Sequence, residues 1–342
     1  MRYIIVILAC SISFAFAQDS TKRVSKKRTD YILSYDSLLH IDTWYSTKQT
    51  ELRLFYPDRF RIFLAPSEIN NMHLGISYRF VDAGISFTPG LINPGNPAKG
   101  ETSRFSLGAG VNLKRWYLSG EHTRMKGFYM RNSNDYRTQL GNIKYITFPD
   151  LESTTTQLLI RYNVNRNFST AALKGGTEVQ KKSAISFLPS LLFANYRLRN
   201  AVADSSISNS ITRSTDINLL LPLSATWVIT PKWYLSGSAG PSIGADFFKS
   251  DSYNTNNQLV LLKGTRLTTG YLVQTSLGYN GQYYYYGIDA MIRSYAHQIE
   301  EIDKMEKYFY SIQVYLGIRI RAPKFLRKSV DWVSKTSPVA LE

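Results

Sequence analysis

The sequence predicts an all-β fold, an antiparallel transmembrane outer-membrane β-barrel of about twelve strands, and three features of its pattern predict it. The first is alternation over residues 308–321. Tyr308, Tyr310, Ile312, Val314, Leu316, Ile318 and Ile320 share one face; Phe309, Ser311, Gln313, Tyr315, Gly317, Arg319 and Arg321 share the other. Strand side chains point alternately to the two sides, so this is one strand with an apolar and a wet face. Soluble strands usually stop at about 5–6 residues, and this one runs on far enough to cross a membrane. The second is that, at 44% hydrophobic residues, no apolar run approaches the roughly 18 residues of a membrane helix. The third is a Tyr- and Gly-rich composition, 24 and 21 residues, that suits aromatic girdles at two membrane interfaces. The same composition fits a secreted soluble β-protein that binds glycans, which stands as an alternative.

Residues 1–17 read as a secretory signal peptide. Arg2 gives the charge, 3–16 the apolar core, and Ala15-Phe16-Ala17 the small-x-small site before Gln18. Ile7-Leu8-Ala9-Cys10 resembles a lipoprotein box, but too little chain precedes Cys10 for that signal. Cleavage after Ala17 leaves a mature chain without cysteine, and so without disulfide, thiolate or Cys-based metal site. Residues 18–49 form a periplasmic N-terminal arm, with Trp44 and Tyr45 at the membrane edge. The barrel spans 50–321, and 322–342 is a basic periplasmic tail carrying Lys324, Arg327, Lys328 and Trp332.

The expected strands are 51–64 (bent at Pro57), 72–80, 83–87, 103–113, 116–128, 154–164, 185–196, 217–227, 233–247, 265–279, 283–295 and 307–321. Short turns near Val81, Lys114-Arg115, 165–167, Pro231 and Asn280-Gly281 alternate with longer loops near 90–102, 129–152, 200–214, 249–258 and 297–306. Short periplasmic turns and longer external loops are the pattern of bacterial barrels, whose strand count is even. Parity holds only if 168–199 supplies one spanning strand, so part of 168–182 is a loop, an inward excursion or a bent extension. Trp116, Trp227, Trp233, Tyr279, Tyr283 and Tyr286 all lie beside the short turns and mark a periplasmic aromatic girdle.

Phe168-Ser169 followed by Glu178-Val179-Gln180-Lys181-Lys182-Ser183-Ala184-Ile185-Ser186-Phe187-Leu188 resembles the signature of an outer-membrane β-barrel family of the Bacteroidota, domain of unknown function 4421. Asp30-Tyr31-Ile32 and Gly127-Phe128-Tyr129 are similar to further landmarks, so the resemblance covers about residues 28–321. Ile185 stands where that signature tends to have Gly. The resemblance implies a barrel in the outer membrane and brings no activity and no catalytic residue. Glu178, Lys181 and Lys182 are costly against lipid, so they belong to a plug or constriction, or to a charged loop outside the membrane.

The charge of +16 suggests nucleic acid first, but the Lys and Arg are scattered apart from Lys22, Arg23, Lys26, Lys27 and Arg28, and the chain carries an export signal. Outer-membrane lipid and lipopolysaccharide are the expected partners, with an envelope protein at the arm or tail and no cofactor. Glu51, Arg53, Arg79, Arg104, Glu121, Arg161, Asp289, Arg293 and Arg319 fall on predicted lumen positions. They read either as a narrow, anion-preferring passage or as ion pairs cross-bracing a closed lumen.

Of the histidines, His40 lies in the arm and His297 in an external loop. His122 adjoins Glu121 but faces away from it, and His73 shares a face with Ser77. Zinc and triad signatures are missing, so the expectation is a non-enzymatic barrel, structural or a narrow solute passage. A lipid- or lipopolysaccharide-modifying hydrolase is the alternative.

Overall fold

Alternation builds the wall. The computed structural model describes residues 28–55, 61–67, 70–93, 95–113, 115–136, 144–200, 210–253, 259–297 and 304–336. Its strands are β1 (Ile32–Ser34), β2 (Leu38–Phe55), β3 (Arg61–Ala65), β4 (Asn70–Tyr78), β5 (Val81–Phe87), β6 (Ser103–Leu113), β7 (Trp116–Met130), β8 (Thr147–Tyr162), β9 (Glu178–Gln180), β10 (Ala184–Phe187), β11 (Ser190–Asn200), β12 (Ser210–Leu220), β13 (Leu223–Val228), β14 (Trp233–Tyr253), β15 (Leu259–Asn280), β16 (Tyr284–His297) and β17 (Lys304–Arg321), followed by helix α1 (Lys324–Thr336). Antiparallel pairing runs β2-β4-β5-β6-β7-β8-β11-β12-β14-β15-β16-β17 and returns from β17 to β2, a closed barrel of twelve strands. Closure leaves no edge, and in lipid every backbone group must find its partner within the protein.

One face of each strand points out and is apolar. Ile41, Ile76, Ile85, Leu107, Leu158, Leu219, Ile243, Val273, Ile288 and Val314 are all exposed, each on a different wall strand. A continuous apolar belt of this kind belongs in hydrocarbon, and it overturns the soluble glycan-binding alternative. No described helix is long and apolar enough to cross a membrane. The other face is buried and polar, with Asp42, Ser106, Asp216, Asn218, Asp246, Ser276 and Asp289 lining the lumen. Apolar clusters inside are small: Leu192 with Leu220, Leu272 and Tyr295, and Met125 with Phe128 and Leu151.

Two wall strands are interrupted, and a third carries a proline in mid-course. β10 leads into β11 through Leu188-Pro189, and β12 into β13 through Leu221-Pro222. Proline has no N–H to give a ladder. The chain compensates by lining the prolines up: Leu188 donates to the Pro222 carbonyl (2.9 Å), Leu221 to that of Pro241 (3.0 Å), and Tyr162 to that of Pro189 (2.9 Å). The result is a crease across three neighbouring strands. β3 continues β4 upward and pairs directly with β7 (Leu64↔Met130, Ala65↔Tyr129), so the wall closes over the short β5–β6 hairpin. There Gly127, at φ +91°, makes a bulge that only glycine tolerates, because a Cβ would collide with the Glu101 carbonyl oxygen.

The first strand differs from the sequence expectation. Residues 51–64 are not one strand: β2 starts at Leu38, and β3 runs back against it. The expected bend at Pro57 lies outside the described residues, as do residues 1–27, on which the expected signal peptide and most of the basic cluster fall. Thr43 and Thr47 share the outward face with Ile41 and Tyr45, which hides the apolar period. Trp44 is therefore inside, not at the membrane edge, and His40 is a fully buried wall residue, not part of a free arm.

Part of the tail is helical and lies against the outside of the barrel base. Leu326 and Val330 of α1 pack on Leu39, Tyr78 and Ala322. Arg79, in the β4–β5 turn, pairs with Asp331 at 2.7 Å. At this end the other connections, around 114–115, 229–232 and 281–283, are equally short. The exception is residues 163–183 between β8 and β10.

Candidate functional site

Those residues fold back into the periplasmic mouth. Their frame is one side chain, Gln180. Its Oε1 accepts from the Ser169 backbone (2.9 Å), and its Nε2 donates to the carbonyls of Asn167 (2.8 Å) and Lys182 (2.9 Å). A buried amide with both ends satisfied fixes the loop's path. Ser169 Oγ donates to Glu178 Oε2 at 2.6 Å, while Arg28 holds Oε1 at 2.6 Å. β9 pairs antiparallel with β1, matching Ile32 to Gln180 and Ser34 to Glu178, so the N-terminal segment straps the excursion in place. Below the strap Phe168, Leu173 and Leu188 form an apolar knot.

From this base the loop reaches into the lumen. Lys174 Nζ meets Asp289 Oδ1 at 3.0 Å and lies 5.7 Å from the Trp44 ring. Ser236 Oγ donates to the Leu173 carbonyl (2.8 Å), and Asn280 donates to that of Glu178 (3.2 Å). Gly175, at φ +75°, packs flat on Tyr285, where a Cβ would stand 2.5 Å from a ring carbon. Arg319 donates to the carbonyl of Gly176 (2.5 Å), to Asn280 Oδ1 (2.5 Å) and to the Gly281 carbonyl, between the rings of Tyr35 and Tyr285.

The lumen is thereby divided. A chamber of about 490 Å³ lies toward the periplasm, lined by Asp42, His73, Asp82, Tyr117, Arg161 and the loop itself. A second, of about 560 Å³, lies toward the external loops and is lined by Arg104, Asp246, Arg266, Arg293 and Lys307. Trp44, Lys48, Glu121, Lys174 and Met291 line both and form the collar between them.

Of the residues expected in the lumen, Arg104, Glu121, Arg161, Asp289, Arg293 and Arg319 are there. Arg161 lies 3.4 Å from Ser190 Oγ, and Arg293 sits 5.5 Å from the rings of both Tyr295 and Phe309. Asp289 is fully buried and takes Gln274 (2.8 Å) and Gln313 (2.7 Å) besides Lys174, so its ionic partner is a lysine of the loop rather than a wall arginine. Arg79 lies at the mouth, tied to α1.

Glu51 and Arg53 are a correction. They share the odd-numbered face of β2 with exposed Ile41 and Tyr45, so their side chains leave the wall on its outward side, where Glu51, fully buried and still bordering the outer chamber, binds Arg53 and Arg131. The misplaced first strand shifted their phase by one residue, which exchanges the two faces. Glu178 lies inside the mouth substructure, whereas Lys181 and Lys182 are exposed on its outer side, at the Thr29 carbonyl (3.1 Å) and 5.4 Å from the Tyr31 ring. Trp116, Trp227, Trp233, Tyr283 and Tyr286 are exposed beside the short turns, with Tyr279 stacked on Tyr284 and Tyr286.

Sequence reasoning missed Asp42, Trp44, Lys48, Lys174, Asp216, Asp246, Arg266 and Lys307. Asp216 and Asp246 face each other across β12 and β14 with Ser214 Oγ donating to both (3.0 and 2.6 Å), and Lys307 holds Asp216 at 3.1 Å. Polar phases such as Ser214-x-Asp216-x-Asn218 could have placed them. His73 pairs not with Ser77 but with Ser86 on the next strand, Nδ1 to Oγ at 2.7 Å, under the stacked Trp44 ring. His122 faces outward and touches Thr156 Oγ1 at 2.9 Å. No metal-holding group of His, Cys, Asp and Glu occurs among the described residues.

Comparison with known proteins adds a family and a set of distant folds. The family model described as "Domain of unknown function (DUF4421)" matches residues 18–319. No curated protein matches the chain. Among solved structures, the outer membrane protease OmpT from Escherichia coli aligns at TM-score 0.41 and 8% identity, over 88% of this chain and 100% of its own. The translocator domain of the autotransporter NalP from Neisseria meningitidis aligns at 0.37 and 12%, over 91% and 92%. LpxR from Salmonella typhimurium aligns at 0.33 and 8%, over 82% and 99%.

Proposed function

Because the chain belongs to the DUF4421 family across its whole barrel, we propose a function carried by what that barrel encloses: a narrow, plugged, anion-preferring solute passage in the outer membrane, reached by export on residues 1–17. The observation that carries it is the collar, which the plug itself completes through Lys174. Two chambers of several hundred Å³ that meet at one collar, with Lys174 of the plug as one of its five residues, suit a gated path better than a purely structural wall, which has no use for the space. The outer chamber collects Lys48, Arg104, Arg266, Arg293 and Lys307 against Glu51, Glu121 and Asp246, and cation-rich linings favour anions.

The test is single-channel conductance of refolded residues 18–342 in a planar bilayer, with and without residues 166–180. Rare anion-selective steps that become frequent and larger after the deletion support the passage. A correctly inserted barrel that stays silent in both forms overturns it. Should the deletion not fold, Asp289→Asn serves in its place.

The hydrolase alternative keeps one observation in its favour, the His73–Ser86 hydrogen bond. It opens on the inner chamber, away from the lipid-facing belt, so lipid is poorly placed to reach it. Esterase activity lost in Ser86→Ala would revive that reading.

A further inference from the structure

The outward face of the barrel, beyond the upper edge of the apolar belt, holds a row of cations, of which Arg197 alone also borders the outer chamber. Cross-strand partners in register are Arg124↔Thr154, Thr154↔Arg197, Arg197↔Arg213, Arg213↔Lys249 and Lys249↔Lys263, on β7, β8, β11, β12, β14 and β15. At roughly 4.8 Å between strands the row extends about 24 Å around the wall. All five cations are exposed. Each follows the apolar outward phase of its strand: Lys249 lies two residues past exposed Phe247, and Lys263 four residues before exposed Leu267.

Like charges directly opposite each other in a sheet repel, and here Arg197, Arg213, Lys249 and Lys263 are four in succession. Acids offset only part of this. Glu152 takes Arg124 at 2.7 Å, and Asp251 lies 3.4 Å from Arg213 and 3.7 Å from Lys249. Arg197 and Lys263 have no ion-pair partner among the described residues. Arg199 and Lys126, one row higher, add further positive charge, with Asp150 on Lys126 at 3.1 Å.

We propose that this ladder binds the phosphate groups of lipopolysaccharide in the outer leaflet. The row lies at the end of the barrel with the long loops, opposite the aromatic girdle, where the hydrocarbon ends. A counter-anion there must be multivalent to satisfy cations spread over several strands, and held in the leaflet to stay beside the wall. Phosphorylated glycolipid headgroups meet both requirements. Carboxylates of the protein do not, because those present are already engaged.

The experiment measures binding of lipopolysaccharide to refolded residues 18–342 in micelles of an uncharged detergent, by thermal shift and co-purification. The comparison variant is Arg197→Ser/Arg213→Ser/Lys249→Ser/Lys263→Ser, and Arg115→Ser/Lys232→Ser at the periplasmic turns is the control. Binding should fall about fivefold for each ladder cation removed and stay unchanged in the control. It should weaken with salt and vanish for dephosphorylated lipopolysaccharide. Without lipid, the ladder variant should melt no lower than the parent, because the repulsion is gone. Equal binding by ladder variant and parent overturns the proposal. So does equal retention of phosphatidylglycerol, or displacement by millimolar inorganic phosphate, since either means a general anion surface. If the fourfold variant does not fold, Arg197→Gln/Lys263→Gln carries the test and leaves the ion pairs of Arg124, Arg213 and Lys249 intact.

Discussion

Replacing Lys174 by methionine keeps the length and volume of the side chain and removes its charge, which isolates the latch between plug and wall. Asp289 is fully buried and accepts from Gln274, Gln313 and Lys174. Without the ammonium, its carboxylate retains two neutral donors in a site closed to water. A hydrogen bond to a charged group contributes about 1.5–3 kcal/mol, and Lys174 retains 29% exposure, so the lower half of that range applies. If plug docking sets the closed state, its preference falls by about 2 kcal/mol, a roughly thirtyfold rise in the open-to-closed ratio. Asp289→Asn should act in the same direction, since an amide presents a donor to Gln274 or Gln313. The double variant should fall well short of the sum, because both changes remove the same contact. Single-channel open probability measures all three. Unchanged open probability in Lys174→Met, with residues 163–183 still protected from protease, would refute the latch.

Other predictions concern the plug's base and the far end of the barrel. Arg319→Leu removes the donor to the plug's Gly176 carbonyl, and with it those to the Gly281 carbonyl and to Asn280, which itself holds the Glu178 carbonyl, and should cost the docked plug about 2–3 kcal/mol. Trypsin should then cut at Lys181 and Lys182 on the order of a hundredfold faster, while unheated protein keeps its folded electrophoretic mobility. Gln180→Ala breaks the loop's internal frame and should give a similar but smaller effect, about 1–3 kcal/mol, in the same proteolysis assay. Gly127→Ala forces a side chain into φ +91° and should lower the barrel's thermal stability by about 1–3 kcal/mol. Gly120→Ala on the same strand, where a Cβ meets nothing nearer than 3.8 Å, should stay within about 0.5 kcal/mol.

The barrel was legible because its signal is repeated. Outward phases such as Ile312 to Ile320 recur on strand after strand, and a bounded membrane thickness fixes how long each must be. The first strand escaped because threonines took alternate outward positions, and one misplaced boundary turned Glu51 and Arg53 to the wrong face. The plug was visible only as a failure of parity around 168–182. Its working residues were invisible, because Lys174, Gly175 and Gln180 act through contacts with Asp289, Tyr285 and their own loop that no period encodes. Resemblance did better there: Asp30-Tyr31-Ile32, Phe168-Ser169 and the Glu178–Gln180 strand, far apart in the chain, meet in one small structure under the mouth. The cation ladder was written in the sequence as scattered basic residues. Only register aligns Arg197, Arg213, Lys249 and Lys263.

The proline crease has a mechanical meaning. In a closed hydrogen-bonded tube, load placed on one strand is shared round the whole circumference, so the tube is stiff in every direction. Pro189, Pro222 and Pro241 remove three N–H groups along a single line, beside the apolar knot of Phe168, Leu173 and Leu188 that seats the plug. The cylinder thus has a score line on one side, and bending there sacrifices fewer bonds than bending elsewhere. Any outward push from the plug's base would be absorbed along that line, leaving the opposite wall of β15, β16, β17 and β2, with its unbroken ladders, as the rigid backing.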